Sequence, residues 1–228
     1  MVMPARCYHP PVTETALRHA ALVRVTHWLT TACVVALLVS GLELIVSHPR
    51  FYWGESGNVL TPALFSFPIP ASRATVPTGY GYVLPDQNGW SRYLHFEAAW
   101  VLVLTGAVYV VWGAASGHVR RNLLPAAAAV DPWSYNPFQR LTYLLVIFVL
   151  FPLVIWTGLA MSPAFVSAVP FTVTSLGGRQ SARTLHFLAT VALVAFVLIH
   201  VTMIWLAGFR LRVMAMITGA SAPEQGLE

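Results

Sequence analysis

The chain has 228 residues, of which 57% are hydrophobic and only 9% are charged, and its formal net charge is +5. A mean hydropathy of +0.68 excludes an ordinary water-soluble domain and indicates a surface that faces lipid. The positive charge comes from arginine, and no basic stripe alternates with aromatic residues, which argues against nucleic-acid binding. The charge fits a topology signal and an attraction to anionic lipid headgroups.

Four apolar segments are long enough to cross a membrane, since a hydrocarbon core of about 30 Å takes about 20 helical residues. They cover residues 25–46, 93–115, 141–161 and 185–207. The sequence therefore predicts an all-α fold, an integral membrane four-helix bundle that forms a single domain over residues 1–228. The residues before the first segment are charged and lack an apolar stretch, which argues against a cleavable signal peptide.

The first predicted helix carries a histidine near its start and an acid near its end. His27 follows Arg24 at an offset of three, so the two side chains share a helix face. Gly41 lies 14 residues after His27 on the same face, where the missing side chain leaves room for a flat macrocycle or for close helix packing. Glu43 is an acid inside the hydrocarbon region, which predicts either a proton path or a hydrogen bond to a neighbouring helix.

The segment between the first and second helices, residues 47–92, is rich in proline and glycine. It is too broken for regular structure and too aromatic for a flexible linker, so we expect a cap on the extracytoplasmic surface. Aromatic residues such as Trp53 and Trp90 fit either an interfacial aromatic belt or a docking surface for a partner protein.

The second and third helices differ in their polar residues. His95 begins the second helix, again with an arginine, Arg92, three residues before it. Gly106 lies 11 residues after His95, close to the same helix face. The third helix has no histidine and no charged residue, so we expect a scaffold helix that is kinked at Pro152.

The fourth helix holds two histidines, His186 and His200, which are 14 residues apart. Fourteen helical residues make about four turns, so both imidazoles project from nearly the same face, separated by about 21 Å along the axis. Arg183 precedes His186 by three residues, as in the first two helices. Residues 218–228 are expected to form a disordered tail.

The direction of each helix sorts the four histidines by depth. Eight of the thirteen arginines lie on the side of the two termini, so the positive-inside rule places both termini in the cytoplasm. His27 and His200 then form a pair at the inner surface, and His95 and His186 form a pair at the outer surface. Two histidines on one haem iron leave no open position, which suits electron transfer. The sequence lacks a C-x-x-C-H attachment motif, so such haems would be non-covalent and of b type.

An arginine precedes three of the four histidines at the same offset, namely Arg24, Arg92 and Arg183. Each arginine would lie one turn nearer the water than the predicted iron ligand, where its guanidinium can pair with a haem propionate. Arginine also commonly marks helix ends by extending to the headgroups, and this alternative stays open for each of the three.

These residues resemble the bacterial cytochrome b561 family in its broad sense. The resemblance rests on the R-x-x-H-W opening from Arg24, the histidine that starts the second helix and the paired histidines of the fourth. The family includes the b-type cytochrome subunits of nickel-iron hydrogenase, formate dehydrogenase and thiosulfate reductase. Three stretches, H-P-R-F-Y-W-G from His48, G-H-V-R-R-N-L-L-P from Gly117 and Y-N-P-F-Q-R-L-T-Y from Tyr135, are similar to the branch that accompanies sulfite-oxidase-type molybdopterin oxidoreductases.

The resemblance implies two haems b, bound by His27 with His200 and by His95 with His186. It also implies a function: electron transfer across the bacterial inner membrane between the quinone pool and a periplasmic molybdopterin-type subunit, without substrate chemistry of its own beyond quinone. Three alternatives remain at this point. They are a self-contained quinone-linked enzyme such as a superoxide oxidase, a histidine-lined metal transporter, and a non-redox membrane anchor.

Overall fold

The computed structural model describes residues 19–58, 60–68, 88–120 and 137–219. Four of its helices are long and apolar enough to span a membrane, which confirms the predicted fold class. The N-terminal residues 1–18, the part of the predicted cap at 69–87 and the predicted tail from residue 220 lie outside the described residues.

The first two spans are continuous helices that pack along each other. Helix α1 covers Ala21–Ser47 and α2 covers Asn88–Ala115, and α1 makes its most extensive contacts with α2. A helix satisfies every backbone hydrogen bond internally, which is what a segment in lipid requires. Hydroxyls inside these helices donate to the carbonyl of the preceding turn, as Thr26 does to Leu22 at 2.8 Å and Thr105 does to Val101 at 2.7 Å.

The third span changes its helical geometry at the predicted irregularity. It consists of α3 over Pro137–Leu145, a π-helical turn over Val146–Leu150 and α4 over Phe151–Leu159. Pro152 has no N–H and its ring would clash with the carbonyl of Phe148 in a regular helix. The wider π turn directly before the proline accommodates this clash, and π turns of this kind occur frequently at functional sites.

The fourth span begins at a tight junction with the segment that follows α1. Two short helices, α5 over Pro163–Ala168 and α6 over Phe171–Thr174, lead from α4 into α7 over Arg179–Leu206. Gly178 precedes α7 with a φ of +118°, and a Cβ there would collide with the backbone of Gly54. The first N–H groups of α7, from Gln180 and Ser181, donate to the Gly54 carbonyl at 2.9 and 3.2 Å.

The described half of the predicted cap is folded onto α7. Two short strands, β1 over Arg50–Phe51 and β2 over Phe65–Ser66, pair antiparallel in a segment where the sequence indicates no regular structure. Phe51 is buried, and its ring centre lies 4.7 Å from that of Phe187 in α7. The fully buried Thr184 hydroxyl donates to the Tyr52 carbonyl at 2.7 Å. Residues 48–58 and 60–68, the described part of segment 48–68, therefore belong to the same packed unit as the end of α7 that precedes His186.

An eighth helix, α8 over Phe209–Thr218, follows α7 and has no counterpart among the predicted elements. The φ of +95° at Gly208 and of +84° at Gly219 marks its two ends. The Arg24 guanidinium and the Trp28 indole of α1 donate to the carbonyls of Ile217 and Met216 at 2.7 and 3.1 Å. These bonds attach the end of α8 to the start of α1.

Polar residues lie inside the bundle and apolar residues lie outside. The largest fully buried side chains are small hydroxyls, namely Ser40, Ser91, Thr157, Thr172, Ser181 and Thr184. Large apolar side chains such as Trp205, 69% exposed, and Leu206, 73% exposed, point outward. This exposure of large apolar side chains, with small hydroxyls in the interior beside buried apolar residues, fits a bundle that is surrounded by lipid and packed through small residues.

Candidate functional site

One histidine pair joins α1 to α7. The ring centres of His27 and His200 are 6.4 Å apart and the two ring planes are inclined by 49°. Phe196, one turn before His200, stacks on its ring with centres 5.6 Å apart, and Tyr143 of α3 approaches the same ring edge-on at 6.3 Å. Trp28 contacts the His27 ring edge-on at 5.3 Å. Aromatic contacts therefore surround this pair.

The other histidine pair joins α2 to α7. The ring centres of His95 and His186 are 6.2 Å apart, with planes inclined by 62°. The structure thus brings the four histidines together in the same two pairs that helix direction and depth predict. Their assignment as iron ligands remains a prediction.

The separation within each pair fits two imidazoles that share one iron. A metal to imidazole-nitrogen bond is about 2 Å and the ring centre lies about 1.1 Å beyond the nitrogen, so two rings facing across a metal have centres about 6 Å apart. The observed separations of 6.4 and 6.2 Å match this distance. Each pair consists of two imidazoles, and neutral imidazoles are ligands of electron-transfer haems.

Buried polar atoms without partners provide a second test of fit. Among the described ranges, the buried side-chain nitrogens and oxygens that lack a hydrogen-bond partner are Arg24 Nε, His27 Nδ1, Arg183 Nε and Gln180 Oε1. Three of these four atoms belong to residues predicted to bind haem. Buried donors are rarely left unpaired in native proteins, and carboxylate groups of a bound cofactor would supply acceptors for the two arginines.

The three predicted arginines do not occupy equivalent positions. One N–H group of Arg24 donates to Ile217 in α8. Arg183 donates through Nη2 to the carbonyl of Arg50, and its guanidinium lies 5.1 Å from the centre of the Phe51 ring. Arg24 and Arg183 thus combine a structural contact with an unpaired buried N–H, whereas the Arg92 side chain is exposed. The repeated offset in sequence therefore does not give three identical environments.

The His186 ring is held by the third span, where the sequence predicts only a scaffold. Its Nδ1 lies 3.0 Å from the Thr157 hydroxyl and 3.0 Å from the Val154 carbonyl. The carbonyl only accepts, so Nδ1 must carry the hydrogen and Nε2 keeps the lone pair that a metal requires. Thr157 is fully buried. The expectation that this helix contributes scaffold alone is therefore incomplete, because a hydroxyl and a carbonyl of α4 orient a candidate ligand.

The His95 ring has a matching arrangement on α1. Its Nδ1 lies 2.9 Å from the Ser40 hydroxyl. Ser40 is fully buried, and its own hydroxyl hydrogen is donated to the Ala36 carbonyl at 2.7 Å. Sequence reasoning did not select Ser40 or Thr157, because a hydroxyl that bonds to the preceding turn is common in membrane helices.

The glycines near the histidines fall into two groups. A Cβ added to Gly41 would lie 3.6 Å from the His95 ring, and one added to Gly158 would lie 3.4 Å from the His186 ring. Gly158 is not among the predicted site residues. Gly106 is among the predicted site residues, but in the described part of the chain a Cβ added there would have no neighbour within 4 Å. The buried Glu43 lies one turn after Ser40 on α1, and both interpretations of its role remain predictions.

Comparison with known proteins gives the family. The sequence model of the prokaryotic cytochrome b561 family matches residues 18–219. The chain is also similar to an Azospira oryzae protein named "Putative protein-methionine-sulfoxide reductase subunit YedZ1". The two sequences are 29% identical in an alignment over 222 residues, which covers 88% of this chain and 96% of the relative. The chain therefore belongs to the prokaryotic cytochrome b561 family of membrane proteins, which bind haem b and transfer electrons.

Proposed function

We propose that this chain is a di-haem b-type cytochrome that passes electrons across the membrane between the quinone pool and a redox subunit on the extracytoplasmic side. The observation that carries the proposal is the arrangement of four histidines as two pairs, with ring centres 6.4 and 6.2 Å apart. One pair would hold each haem, with His27 and His200 at the cytoplasmic side and His95 and His186 at the other.

The residues of the chain determine which chemistry such a site allows. Haem b, when bound, supplies a one-electron iron couple. The two imidazoles of each pair would hold the iron of one haem, and a haem held by two histidines would supply electron transfer rather than a binding position for a substrate. The unpaired N–H groups of Arg24 and Arg183 are suited to carboxylate acceptors.

The proposed partner is an extracytoplasmic oxidoreductase of the molybdopterin type. The A. oryzae relative is named as a subunit of a protein-methionine-sulfoxide reductase, and the sequence resemblance points to the same class of complex. A reductase consumes electrons, which favours flow from quinol to the partner. The folded segment 48–68, packed against the end of α7 near the His95–His186 pair, is the surface we assign to the partner. Both termini would then lie in the cytoplasm, by the distribution of arginine.

Spectroscopy of the purified chain tests the haem content. We expect the protein in detergent to give a dithionite-reduced spectrum of b type and a pyridine haemochrome assay with two haems per chain. A stoichiometry of one would contradict the pairing of all four histidines. A chain purified without haem, under conditions that supply it, would overturn the proposal and leave a membrane anchor or a metal transporter.

An anaerobic quinol titration tests the quinone link. A soluble quinol analogue added to the oxidised protein should reduce its b-type absorbance, and a dithionite endpoint calibrates the full change. Superoxide, given as the only reductant, distinguishes the self-contained alternative. Fast reduction by superoxide would favour the self-contained enzyme over transfer to a partner subunit, whereas no reduction by quinol would contradict the proposed connection to the quinone pool.

A further inference from the structure

The two histidines of one pair are contacted by the same two-residue element from different helices. On α1, Ser40 places its hydroxyl 2.9 Å from Nδ1 of His95, and the next residue, Gly41, faces the same ring. On α4, Thr157 places its hydroxyl 3.0 Å from Nδ1 of His186, and the next residue, Gly158, faces that ring. We refer to Ser40–Gly41 and Thr157–Gly158 as the hydroxyl–glycine cradles.

Hydrogen-bond direction is the same in both cradles. Ser40 donates its hydroxyl hydrogen to the Ala36 carbonyl at 2.7 Å, and Thr157 donates to the Leu153 carbonyl at 2.7 Å. Each hydroxyl oxygen is therefore left to accept, and the histidine must donate from Nδ1–H. This fixes the tautomer and leaves Nε2 with the lone pair. Both hydroxyls are fully buried, so water does not compete for the bond.

The glycine of each cradle leaves space beside the ring, where a Cβ would just reach van der Waals contact. A Cβ at Gly158 would lie 3.4 Å from Cε1 and 3.7 Å from Nδ1 of His186, and one at Gly41 would lie 3.6 and 3.9 Å from the same atoms of His95. A larger side chain would press on the ring and turn it about its Cβ–Cγ bond. The hydroxyl thus fixes one edge of the ring, while the glycine leaves room for it.

We propose that the two cradles are positioning elements that set the orientation and the electron donation of His95 and His186 as axial ligands. This inference rests on the proposed function, since it assumes that this pair binds haem. A hydrogen bond from Nδ1–H increases the basicity of the coordinating nitrogen and stabilises the ferric over the ferrous state. The His95–His186 haem would therefore have a lower midpoint potential than it would without the cradles.

The chain contains an internal control. Thr105–Gly106 on α2 is also a hydroxyl residue followed by glycine, and Thr105 is buried and donates to Val101 at 2.7 Å. In the described part of the chain, a Cβ at Gly106 meets nothing within 4 Å. The control therefore has the same local chemistry as a cradle but lies away from the histidine rings.

The experiment compares Thr157→Val and Ser40→Ala with Thr105→Val in detergent-purified, haem-loaded protein. Loss of an outer-shell hydrogen bond to a metal ligand typically costs about 10–100-fold in metal affinity or activity. For Ser40→Ala we expect about a tenfold shift of the ferric–ferrous equilibrium, or about 59 mV upward for a one-electron couple. Thr157→Val should shift it in the same direction but less, because the Val154 carbonyl, 3.0 Å from His186 Nδ1, still accepts. The low-spin electron paramagnetic resonance signal of one haem should shift as its ligand planes rotate. Thr105→Val should leave both haems unchanged.

Rescue and steric variants keep the test decisive. Thr157→Ser and Ser40→Thr retain the hydroxyl and should restore the wild-type potential and resonance signal. If Thr157→Val fails to fold, Gly158→Val is compared with Gly158→Ala, whose Cβ would lie 3.4 Å from the His186 ring, and we expect the larger shift of one haem's signal in Gly158→Val. Unchanged potentials and signals in the Ser40, Thr157 and Gly158 variants would overturn the proposed positioning role of the cradles, without contradicting the proposed haem content. Absence of haem from the wild-type chain would instead overturn the proposed function.

Discussion

The two histidine pairs are built from different kinds of contact. His95 and His186 each have a buried hydroxyl within 3.0 Å of Nδ1, supplied by Ser40 and Thr157. The His27–His200 pair is surrounded by aromatic rings, and in the described part of the chain Nδ1 of His27 is buried without a hydrogen-bond partner. The first pair is therefore specified in orientation and tautomer, whereas the second is specified mainly in position.

This difference has a physical consequence inside a membrane. A hydrogen bond in a low-dielectric environment is directional and expensive to leave unmade. Stacking of an aromatic ring on an imidazole restricts the ring plane but leaves open which nitrogen carries the hydrogen. The fold alone thus sets the ring orientations of the His95–His186 pair, and on the proposed function a bound haem would have a larger part in ordering the His27–His200 pair.

Removal of single histidines should have the largest effect on the two pairs. We expect His95→Ala or His186→Ala to leave one haem per chain, and His27→Ala or His200→Ala to remove the other haem, because each iron loses one of two axial ligands. A pyridine haemochrome assay with optical redox titration measures the count and identifies the haem that remains.

A matched control and a contradicting outcome belong to this test. His118 lies beside Trp112, with ring centres 5.1 Å apart, and outside both pairs, so His118→Ala should retain two haems. If His95→Ala and His27→Ala removed the same haem, the division into two independent pairs would be wrong.

Of the two pairs, His95–His186 lies beside the folded segment 48–68. The Thr184 hydroxyl attaches this segment to α7, and its removal tests the attachment. Thr184→Val leaves the Tyr52 carbonyl, its buried partner at 2.7 Å, without a donor. The expected loss is about 1–3 kcal/mol of stability, since a buried acceptor loses its hydrogen bond. Thermal unfolding and limited proteolysis within 48–68 measure this loss, and the haem content should stay at two.

The control for this variant is another threonine in α7. Thr202 is exposed and donates to Leu198 at 2.8 Å, so Thr202→Val should change stability little. Equal destabilisation by both variants would mean that Thr184 acts within its own helix, and that the segment is not attached through this bond.

The sequence predicts the histidine pairs because only helix geometry and direction are needed. The spacing of His186 and His200 follows from the rise per residue, and the alternation of span direction assigns His27 and His95 to their depths. Helices that must satisfy their own backbone in lipid leave few alternative folds. The four spans and their order were therefore accessible without tertiary information.

The contacts of the two cradles could not be predicted from the sequence in the same way. Ser40, Thr157 and Thr105 each bond to a carbonyl of the preceding turn, so their local sequences are equivalent. Only the rotation of one helix against another decides which hydroxyl meets a histidine. The pairing of Arg50–Phe51 with Phe65–Ser66 depends likewise on contacts with α7. Helix α8 was missed because its arginines, Arg210 and Arg212, break the apolar pattern.

The substitution with the smallest predicted effect tests the difference between the two histidine pairs most closely. Phe196→Leu removes the ring stacked on His200 at 5.6 Å, which contributes about 0.5–1.5 kcal/mol beyond its buried area. The phenyl ring makes no hydrogen bond to the imidazole, so the electron donation of His200 should change less than that of His95 in Ser40→Ala. We expect two haems per chain and a potential shift at the His27–His200 haem smaller than about 59 mV, the value for a tenfold change.

Phe96→Leu is the control for this last variant, because Phe96 is adjacent to His95 in sequence but is 40% exposed. It should leave both potentials unchanged in the same redox titration. A shift in Phe196→Leu as large as that in Ser40→Ala would contradict the distinction between the pairs, because stacking would then tune a proposed iron ligand as strongly as a buried hydrogen bond does. A small shift confined to one haem would instead separate the two effects: hydrogen bonds to Nδ1 set the ligand's electron donation, and aromatic packing sets where the ring lies.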